Sequence, residues 1–446
     1  MSSSLIAEQL PGVITDPKQI TSKSKEYVQP FDLEKLYLTR SVGATAWSPD
    51  GKQLVFVTNI SGRNNLWLVP SAGGWPVQLT VSNQRQTAPA WSPDGKYIAY
   101  MSDYDGDEQW DVFIVNPLKG DVINLTNTKD ISEESPAWSP DGKTIAYTVK
   151  PRTSSTYEID LMNAYTRHVT HLTTGTPKEL SNSGPIWSSD GRSIVFTQQN
   201  ATGKDSNIFL ADVATAKRTL LTPHQGEHNF IATDLSPDSK WILLTSDAGN
   251  GYDNVGLLEV ASRKIEWLTQ DKWEISSANF SPDGKLATWT ANVDGNEEIF
   301  TYDLGAKKTA SLPLPKGVNS LGGAESAFSH DGSRLVFYHN GANAPADVWV
   351  YDLRAAKAQQ ITNSFVGGIR GEDMVEPYLV HYPSKDGKFQ ISALVYVPYN
   401  LPHGEQTAAI VYVHGGPQSQ TVNSFNRNIQ YLVNQGYIVI APNYRG

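Results

Sequence analysis

The motif Trp47-Ser48-Pro49-Asp50-Gly51-Lys52 constrains the fold of this chain most, because the same pattern returns as far as residue 332. Seven copies occur, and their first residues stand 44, 47, 49, 48, 45 and 48 positions apart. The first residues of the copies are Trp47, Trp91, Trp138, Trp187, Leu235, Phe280 and Phe328. A period of this length is typical of propeller blades or of another repeat array.

Each copy has the chemistry of a tight turn between two strands. Asp followed by Gly, or by Ser in the fifth copy, suits a hairpin because Gly takes positive φ freely and Asp tolerates it. The proline before the turn cannot donate to a strand ladder, so it marks the end of a strand. The leading aromatic is then the last inward side chain of that strand. We therefore predict that four tryptophans are buried at equivalent positions: Trp47, Trp91, Trp138 and Trp187.

Each repeat also supplies enough strands for one blade. In the first repeat a second strand follows the turn at residues 54–57, a third lies at 66–69, and a fourth ends at the pair Leu79-Thr80. Four strands per repeat make one propeller blade. The predicted fold class is therefore mostly β, with a seven-bladed β-propeller at residues 41–362. Closure is expected from packing of the first blade against the seventh, without strand pairing. Stacked β-sandwich domains are the alternative, which the regular intervals disfavour.

Composition limits the partners and the chemistry. The 446 residues include 36 basic and 46 acidic side chains, for a formal net charge of −10. This charge argues against nucleic acid or an anionic membrane surface as a partner. No cysteine is present, which excludes a thiolate nucleophile and a thiolate metal site. Residues 1–30 lack a signal-peptide pattern and no later run suits a transmembrane helix, so we predict a cytoplasmic protein with no membrane association.

The segments that flank the repeats differ from them in character. Residues 1–40 are predicted to form an N-terminal arm, poorly ordered or docked at the periphery, that ends in a short helix. Residues 363–446 begin with a linker. A continuous apolar run at 408–413 then predicts a strand buried in a parallel sheet. A helix around 425–434 and a second buried strand at 437–441 follow, and this order of elements is typical of the start of an α/β domain.

The segment His414-Gly415-Gly416-Pro417 follows the first of these strands. Paired glycines let the backbone approach a substrate closely and point amide N–H groups outward, which a site that stabilises a carbonyl oxyanion requires. A tight strand-to-helix turn without a catalytic role is the alternative. The four residues alone leave both interpretations open.

The repeats, the segment Val413-His414-Gly415-Gly416-Pro417 and the segment Ala441-Pro442-Asn443-Tyr444-Arg445-Gly446 together resemble the prolyl oligopeptidase family of serine peptidases, nearest its acylaminoacyl-peptidase branch. The resemblance covers residues 30–446. In that family a seven-bladed propeller caps an α/β-hydrolase domain, and peptides reach a Ser-Asp-His triad between the two. The resemblance implies a serine-type peptidase, a hydrolase that acts in proteolysis on a peptide substrate and uses no cofactor and no metal.

Transferred to this sequence, the resemblance assigns the oxyanion hole to the backbone amide of Gly416, with that of Gly415. His414 would brace the turn, and Arg445 would form a structural ion pair. No Gly-x-Ser-x-Gly segment occurs in the chain. We therefore expect the triad beyond Gly446, no catalytic residue within this chain, and no activity of the chain by itself. Residues 363–446 would then be a linker and the truncated start of the hydrolase domain.

Several alternatives remain at this point. A TolB-like propeller with WD40-like repeats could instead serve as a non-catalytic protein- or ligand-binding module, although residues 408–446 have no evident purpose there. Whether the enzyme releases acylamino acids, dipeptides or longer fragments stays open, as does homo-oligomerisation. The pairs Glu133-Glu134 and Glu297-Glu298 are candidates for binding a substrate amino terminus, but solvated loop acids are the favoured interpretation.

Two close histidine pairs could suggest a metal site, namely His168-x-x-His171 and His224-x-x-x-His228. Neither has an acidic residue in the arrangement of a helical zinc site, and both fall near predicted strand ends. We interpret them as ordinary surface histidines.

Overall fold

The computed structural model describes residues 12–322, 326–365, 367–402, 407–416 and 419–444. It is mostly β, as predicted. Within these ranges the strands from residue 42 to residue 360 form consecutive four-stranded antiparallel units. We number the units one to seven in chain order.

The strands of the units follow the repeats. Units one to four contain β1 (Val42–Trp47), β2 (Gln53–Thr58), β3 (Asn65–Pro70), β4 (Val77–Gln78), β5 (Gln86–Trp91), β6 (Ile98–Ser102), β7 (Asp111–Val115), β8 (Val122–Asn124), β9 (Ile131–Trp138), β10 (Thr144–Pro151), β11 (Glu158–Asn163), β12 (Val169–His171), β13 (Leu180–Trp187), β14 (Ser193–Asn200), β15 (Ser206–Asp212) and β16 (Arg218–Leu220). Units five to seven contain β17 (Phe230–Leu235), β18 (Trp241–Ser246), β19 (Asn254–Glu259), β20 (Ile265–Trp267), β21 (Ile275–Phe280), β22 (Leu286–Val293), β23 (Asn296–Asp303), β24 (Lys308–Ser311), β25 (Val318–Leu321), β26 (Arg334–Gly341), β27 (Ala344–Asp352) and β28 (Lys357–Gln360). Units six and seven share one sheet because β23 pairs with β25 in parallel.

The repeated motif forms a self-contained turn. In unit one, Ser48 Oγ donates to Asp50 Oδ1 at 2.7 Å and accepts the backbone N–H of Gln53 at 2.9 Å. Asp50 Oδ1 also accepts the backbone N–H of Lys52 at 3.0 Å. Gly51 lies between them with φ of +66°, where a β-carbon would be strained. The hydroxyl of Ser48 and the carboxylate of Asp50 therefore both have partners within the turn.

The same turn recurs along the chain. The Ser-to-Asp hydrogen bond is repeated at Ser92, Ser139, Ser188, Ser236, Ser281 and Ser329. It also appears outside the repeats, where Ser384 Oγ donates to Asp386 Oδ1 at 2.6 Å. The turn chemistry that the sequence predicts is thus a property of the motif itself.

The apolar-Thr pair that ends each repeat ties the fourth strand to the third. The backbone N–H of Leu79 donates to Leu66 O at 2.8 Å, and Thr80 Oγ1 accepts the N–H of Leu66 at 3.0 Å. The same acceptor role falls to Thr126, Thr173, Thr222, Thr269 and Thr362. The pair lies just after the short fourth strand, and its hydroxyl satisfies a third-strand amide that β4 and its counterparts leave unpaired.

Neighbouring units are joined by tryptophan side chains. The indole Nε1–H of Trp138 donates to Ala90 O at 3.1 Å, and that of Trp187 to Ala137 O at 3.0 Å. In each case the carbonyl belongs to the residue just before the first motif residue of the preceding unit. Trp47 makes the same bond to Ala327 O at 3.0 Å, and Ala327 belongs to unit seven. The first unit therefore packs against the last as the third packs against the second.

Burial of the four tryptophans is confirmed for three of them. Trp47, Trp91 and Trp138 are buried. Trp187 is only half-buried, so the prediction is wrong for that residue. Its indole N–H still has an acceptor, whereas the buried Nε1–H of Trp91 has none among the described residues.

The chain after unit seven forms a separate four-stranded sheet, which we call the last sheet. Its elements are β29 (Tyr378–Pro383), β30 (Gln390–Tyr396), β31 (Ala409–Val411), the helix α2 (Arg427–Asn434) and β32 (Ile438–Pro442). The strand order is β29-β30-β32-β31, with β31 parallel to β32 and the other pairs antiparallel. The predicted order of strand, turn, helix and strand is therefore present.

One strand of the last sheet differs from its prediction. Residues 408–413 were expected to form a buried strand, but only Ala409–Val411 is a strand, and it lies at the edge of the sheet. Val411 is 62% exposed and Val413 60% exposed. In contrast, Val439 and Ala441 on the interior strand β32 are fully buried. An apolar run indicates which residues can be buried. Burial of a strand also requires a neighbouring strand on each side, and β31 has only one among the described residues.

The N-terminal arm lies along the last sheet. Ile14 pairs in parallel with β29, donating its N–H to Leu379 O and accepting that of His381, both at 2.9 Å. Lys25 forms an ion pair with the buried carboxylate of Asp373. The described part of the arm includes a 3-10 helix (Pro17–Gln19). Asp373 lies in another 3-10 helix (Gly371–Asp373), between unit seven and the last sheet. The arm is thus docked rather than poorly ordered from residue 12 onward.

The short helix predicted before the first unit is also present, as α1 (Leu33–Tyr37). Asp32 caps its N-terminus by accepting the N–H of Glu34 at 2.9 Å. Its fully buried Leu36 packs in one cluster with Phe31 and Met374. In the described ranges neither α-helix has the length and apolar character of a membrane-spanning segment.

Replacing Trp138 by Ala tests the contact between units. Loss of a large buried side chain should lower the free energy of unfolding by roughly 3–5 kcal/mol. Trp138→Phe is the matched control, because it keeps most of the apolar surface and loses the bond to Ala90, at a cost of about 1–3 kcal/mol. Urea unfolding at equal protein concentration measures both. A Trp138→Ala protein within about 1 kcal/mol of wild type would contradict the packing described here.

The motif turns should make stability depend on acid pH. The hydroxyl of Ser329 and the amide of Ser333 lower the pKa of Asp331 from 3.8 to about 2. A lowered pKa adds stability that is present above pH 4 and is lost as the pH falls through about 2. Asp331→Asn keeps the acceptor oxygen but not the charge. The variant should therefore lose less stability than wild type between pH 4 and pH 2, measured by urea midpoints, and parallel curves would contradict this.

Candidate functional site

The His-Gly-Gly turn directly follows the edge strand β31. Gly416 has φ of +74°, in the left-handed region that favours glycine. Among the described residues, no heavy atom lies within 4 Å of the position that a β-carbon would occupy at Gly415 or Gly416. Both residues are exposed. The backbone of the turn is therefore open to close approach by another molecule.

His414 is held against Tyr444. The two rings stack with centroids 4.2 Å apart and planes 9° from parallel. Tyr444 Oη donates to His414 O at 2.8 Å, while His414 Nδ1 lies 3.2 Å from Gly415 O. His414 Nε2 is buried and has no hydrogen-bond partner among the described residues. The side chain and the carbonyl of His414 are thus both fixed by one residue from the end of β32.

Asn443, next to Tyr444, fixes the chain beyond the turn. Its Oδ1 accepts the N–H of Thr421 at 2.7 Å, and its Nδ2 donates to Thr421 O at 3.2 Å and to Ser392 Oγ at 3.1 Å. A single amide side chain therefore joins residue 421 to strand β30. Sequence reasoning assigned no role to Asn443 or Tyr444, although both lie in the segment that carries the family resemblance. Arg445, with Pro417 and Gly446, lies outside the described residues.

A hairpin from unit six also reaches this region. We call residues 292–297, at the turn between β22 and β23, the unit-six hairpin. Gly295 O accepts the N–H of Asn423 at 2.7 Å, and Asn296 Oδ1 accepts from Asn423 Nδ2 at 2.9 Å. Asn292 Nδ2 donates to Gln420 Oε1 at 2.7 Å.

The same hairpin is hydrogen-bonded to the last sheet. Asp294 Oδ2 lies 2.5 Å from His381 Nε2, on strand β29. The unit-six hairpin thus contacts both the sheet and the segment that follows the His-Gly-Gly turn.

The glutamate pairs are not the solvated loop acids that we expected. Glu133 lies on β9 and is only 3% exposed. Its Oε1 accepts from Thr128 Oγ1 at 2.8 Å, and burial raises the pKa of its carboxyl group to about 8. Glu134 accepts from Ser132 Oγ at 2.7 Å and from Tyr157 Oη at 2.6 Å. Both side chains are therefore part of the sheet structure of unit three.

The second glutamate pair lies on a strand as well. Glu297 and Glu298 belong to β23, and Glu297 Oε2 accepts from Ser320 Oγ at 2.5 Å. Ser311 Oγ donates to Glu298 Oε2 at 3.5 Å. Both glutamates thus bond to serines of neighbouring strands, β24 and β25, and the expectation of loop acids is wrong for this pair too.

The histidines differ from one another. His171 Nδ1 lies 2.8 Å from Asp160 Oδ1, and its side chain is exposed. His224 is not the surface histidine we expected: its side chain is 12% exposed, and its Nε2 lies 2.8 Å from Asp205 Oδ1. Residues 12–322 and the other described ranges hold no group of three or more potential metal ligands among His, Cys, Asp and Glu.

Comparison with known proteins defines the class. A model of the TolB β-propeller domain matches residues 21–203 and 183–368, which together include most of the chain. A chain of repeated four-stranded units with this match is a propeller protein. It belongs to the TolB β-propeller domain family.

Curated relatives point to a more particular group. Dipeptidyl-peptidase 5 of Arthroderma otae is 26% identical over 240 residues, which are 50% of this chain and 32% of the relative. Dipeptidyl-peptidase 5 of Aspergillus fumigatus is 26% identical over 202 residues, or 42% of this chain and 26% of the relative. The matched region thus spans about a third or less of the length of these curated relatives.

Solved structures share the fold across nearly the whole chain. A puromycin-hydrolysing peptidase of Mycobacterium tuberculosis aligns with a TM-score of 0.78 and 14% identity, covering 95% of this chain and 69% of that one. The acylaminoacyl peptidase of Pyrococcus horikoshii aligns with a TM-score of 0.70 and 17% identity, covering 94% and 67%. Together with the curated relatives, these structures confirm the resemblance to the prolyl oligopeptidase family.

Replacing each of the two glycines by alanine tests whether the positive φ of Gly416 strains a residue that has a β-carbon. Gly416→Ala should fold, because no atom of the described residues lies near the added methyl group, but should lower stability by roughly 1 kcal/mol since alanine is strained at positive φ. Gly415→Ala, at a residue without positive φ, should cost less. Urea unfolding of the two variants measures the difference. Equal stabilities would show that Gly416 does not hold the left-handed conformation in solution.

Proposed function

We propose that this chain is the propeller and the first part of the α/β-hydrolase domain of a serine peptidase of the prolyl oligopeptidase family. The seven four-stranded units are then the blades of one propeller, closed by the contact between Trp47 and unit seven. The observation that carries the proposal is the His-Gly-Gly turn, which lies at the end of a strand parallel to β32 and is braced by Tyr444.

The chemistry of the turn fits acyl transfer. A carbonyl under nucleophilic attack develops negative charge on its oxygen, and fixed backbone N–H groups stabilise that charge without reorganising. The amide of Gly416, with that of Gly415, would donate to this oxygen. The stack between His414 and Tyr444 supports a bracing role for His414, because it fixes the residue that precedes the two donors.

The last sheet supports a longer polypeptide. Strand β31 has one hydrogen-bonded neighbour within the described residues, and the exposed side chains of Val411 and Val413 are apolar. An unpaired strand edge with an apolar face is a liability unless something covers it. We propose that further strands and helices of the same polypeptide cover this edge and supply the Ser-Asp-His triad.

The substrate we propose is a peptide, since the named relatives are peptidases. Dipeptidyl release is the first activity to assay, because the curated relatives carry that name, with acylaminoacyl and internal cleavage as the other two. A cytoplasmic location and the oligomeric state stay predictions.

Labelling tests the proposal directly. The 446-residue chain should neither react with a fluorophosphonate probe nor hydrolyse dipeptidyl or acylaminoacyl p-nitroanilides, because it lacks the nucleophile. The product of the full gene should do both. A gene that ends at codon 446 would support the alternative of a binding module. Stoichiometric labelling of a serine within residues 1–446 would overturn our assignment of the triad.

A variant of the full product tests the oxyanion hole. Gly416→Val adds a branched side chain where the substrate carbonyl must approach and strains the positive φ. Loss of one oxyanion donor costs on the order of 10²–10³ in kcat, so a loss of that size with a smaller change in KM is expected. A folded Gly416→Val enzyme with wild-type kcat would show that the turn is only architectural.

A further inference from the structure

The unit-six hairpin packs directly on the backbone that follows the His-Gly-Gly turn. Gly295 has φ of +84°, and a β-carbon there would lie 3.4 Å from Thr421 O and 3.7 Å from Val422 Cα. The hydrogen bonds of Asn423 to Gly295 O and to Asn296 Oδ1 hold the two segments together. Asn423 is itself buried. The hairpin backbone therefore lies in direct contact with residues 421–423.

A short path leads from this contact to the candidate oxyanion donors. Thr421 is bonded through both its N–H and its C=O to Asn443. The next residue, Tyr444, stacks on His414 and donates to its carbonyl oxygen. Asn443 and Tyr444 are consecutive, so displacement of Thr421 has a direct route to His414. Each step in this path is a hydrogen bond or a ring contact.

We propose that the unit-six hairpin is a positioning element that sets the geometry of the His-Gly-Gly turn through Thr421, Asn443 and Tyr444. Its importance for catalysis rests on the proposed function, in which that turn binds the oxyanion. The positioning itself is a property of the chain described here. It makes the propeller part of the active-site architecture rather than a cap alone.

The hydrogen bond between Asp294 and His381 reinforces the contact. Asp294 is buried, and His381 lies on strand β29 of the last sheet. The hairpin is therefore fastened on two sides, to the sheet through Asp294 and to residues 420–423 through its other contacts. A loose hairpin should let residues 420–423 move away from Asn443.

A second hairpin provides a matched control. Gly203 lies in the corresponding turn of unit four, between β14 and β15, with φ of +71°. Among the described residues, a β-carbon at Gly203 would meet nothing within 4 Å. Gly203→Ala and Gly295→Ala therefore carry the same kind of backbone strain, but only Gly295 contacts residues 421–422 and accepts the N–H of Asn423.

Hydrogen exchange and glycine amide spectra of the 446-residue chain test the proposal. In Gly295→Ala, amides of residues 419–426 should exchange about tenfold faster than in wild type, and the Gly415 and Gly416 amide resonances should shift. Gly203→Ala should leave both observables unchanged. A shift of the turn resonances is not expected from a merely local loss of stability in unit six.

Two variants at Asp294 test the same proposal if Gly295→Ala does not fold. Asp294→Asn keeps an oxygen that accepts from His381 Nε2–H and tolerates the φ of +52° at this residue, whereas Asp294→Gly removes the oxygen without strain at that φ. Shifted Gly415 and Gly416 resonances in Asp294→Gly, with recovery in Asp294→Asn, would support the positioning role. Turn resonances that stay at wild-type positions in folded Gly295→Ala and in Asp294→Gly would overturn it.

The test is independent of the peptidase proposal. Unchanged spectra would refute the positioning role and leave the family assignment and the assay of the full gene product untouched. Conversely, an inactive full product with shifted turn resonances in Gly295→Ala would refute the peptidase function and keep the coupling.

Discussion

The contact between neighbouring units is the interaction on which the rest of this structure depends. Each unit has an apolar face on either side and can bury it only against another unit. Trp138 lies between two units, and its indole N–H donates to a carbonyl of the neighbouring unit, as do those of Trp47 and Trp187. Apolar packing supplies most of the stabilisation, and the hydrogen bond removes the cost of burying a polar group.

Units whose motif begins with Leu or Phe contact the preceding unit through other hydrogen-bonding groups. Between units four and five, Thr197 Oγ1 accepts the N–H of Ala232 at 3.0 Å. Between units five and six, the Asp234 carboxylate accepts the N–H of Phe280 at 2.8 Å, and within unit five it accepts that of Leu235 at 2.7 Å. Burial nevertheless raises the pKa of Asp234 to about 7. Between units six and seven the backbones pair directly through β23 and β25. In the later repeats, other hydrogen bonds between neighbouring units thus take the place of the indole bond.

The sequence predicted correctly those features that depend only on residues close together in the chain, namely the turns and the strands beside them. The turn from Ser48 to Gln53 is complete within six residues, so its motif reveals it. The strands that flank it follow from alternation and from the end signals. The edge position of Val411 could not be predicted, because the sequence of a strand does not say how many neighbours it has.

The candidate site was predicted only in part for the same reason. His414, Gly415 and Gly416 form a contiguous motif, and their open backbone is a local property. Tyr444 stands 30 residues from the carbonyl it bonds, and Asp294 stands 87 residues from His381. The first contact depends on the pairing of β31 with β32, and the second depends on how the propeller and the last sheet meet. No local pattern encodes either of them.

The attachment of the last sheet to the propeller is one-sided. Across the described ranges, the hydrogen bonds that join residues 371–444 to the units come from units six and seven, through Asn292, Asn340, Ala342 and their neighbours. The N-terminal arm holds the opposite edge of the sheet, at β29, through Ile14. Within the same ranges, units one to five donate and accept no such bond. The attachment is therefore concentrated where the chain passes from unit seven to the sheet, and residues 420–423 are part of that attachment.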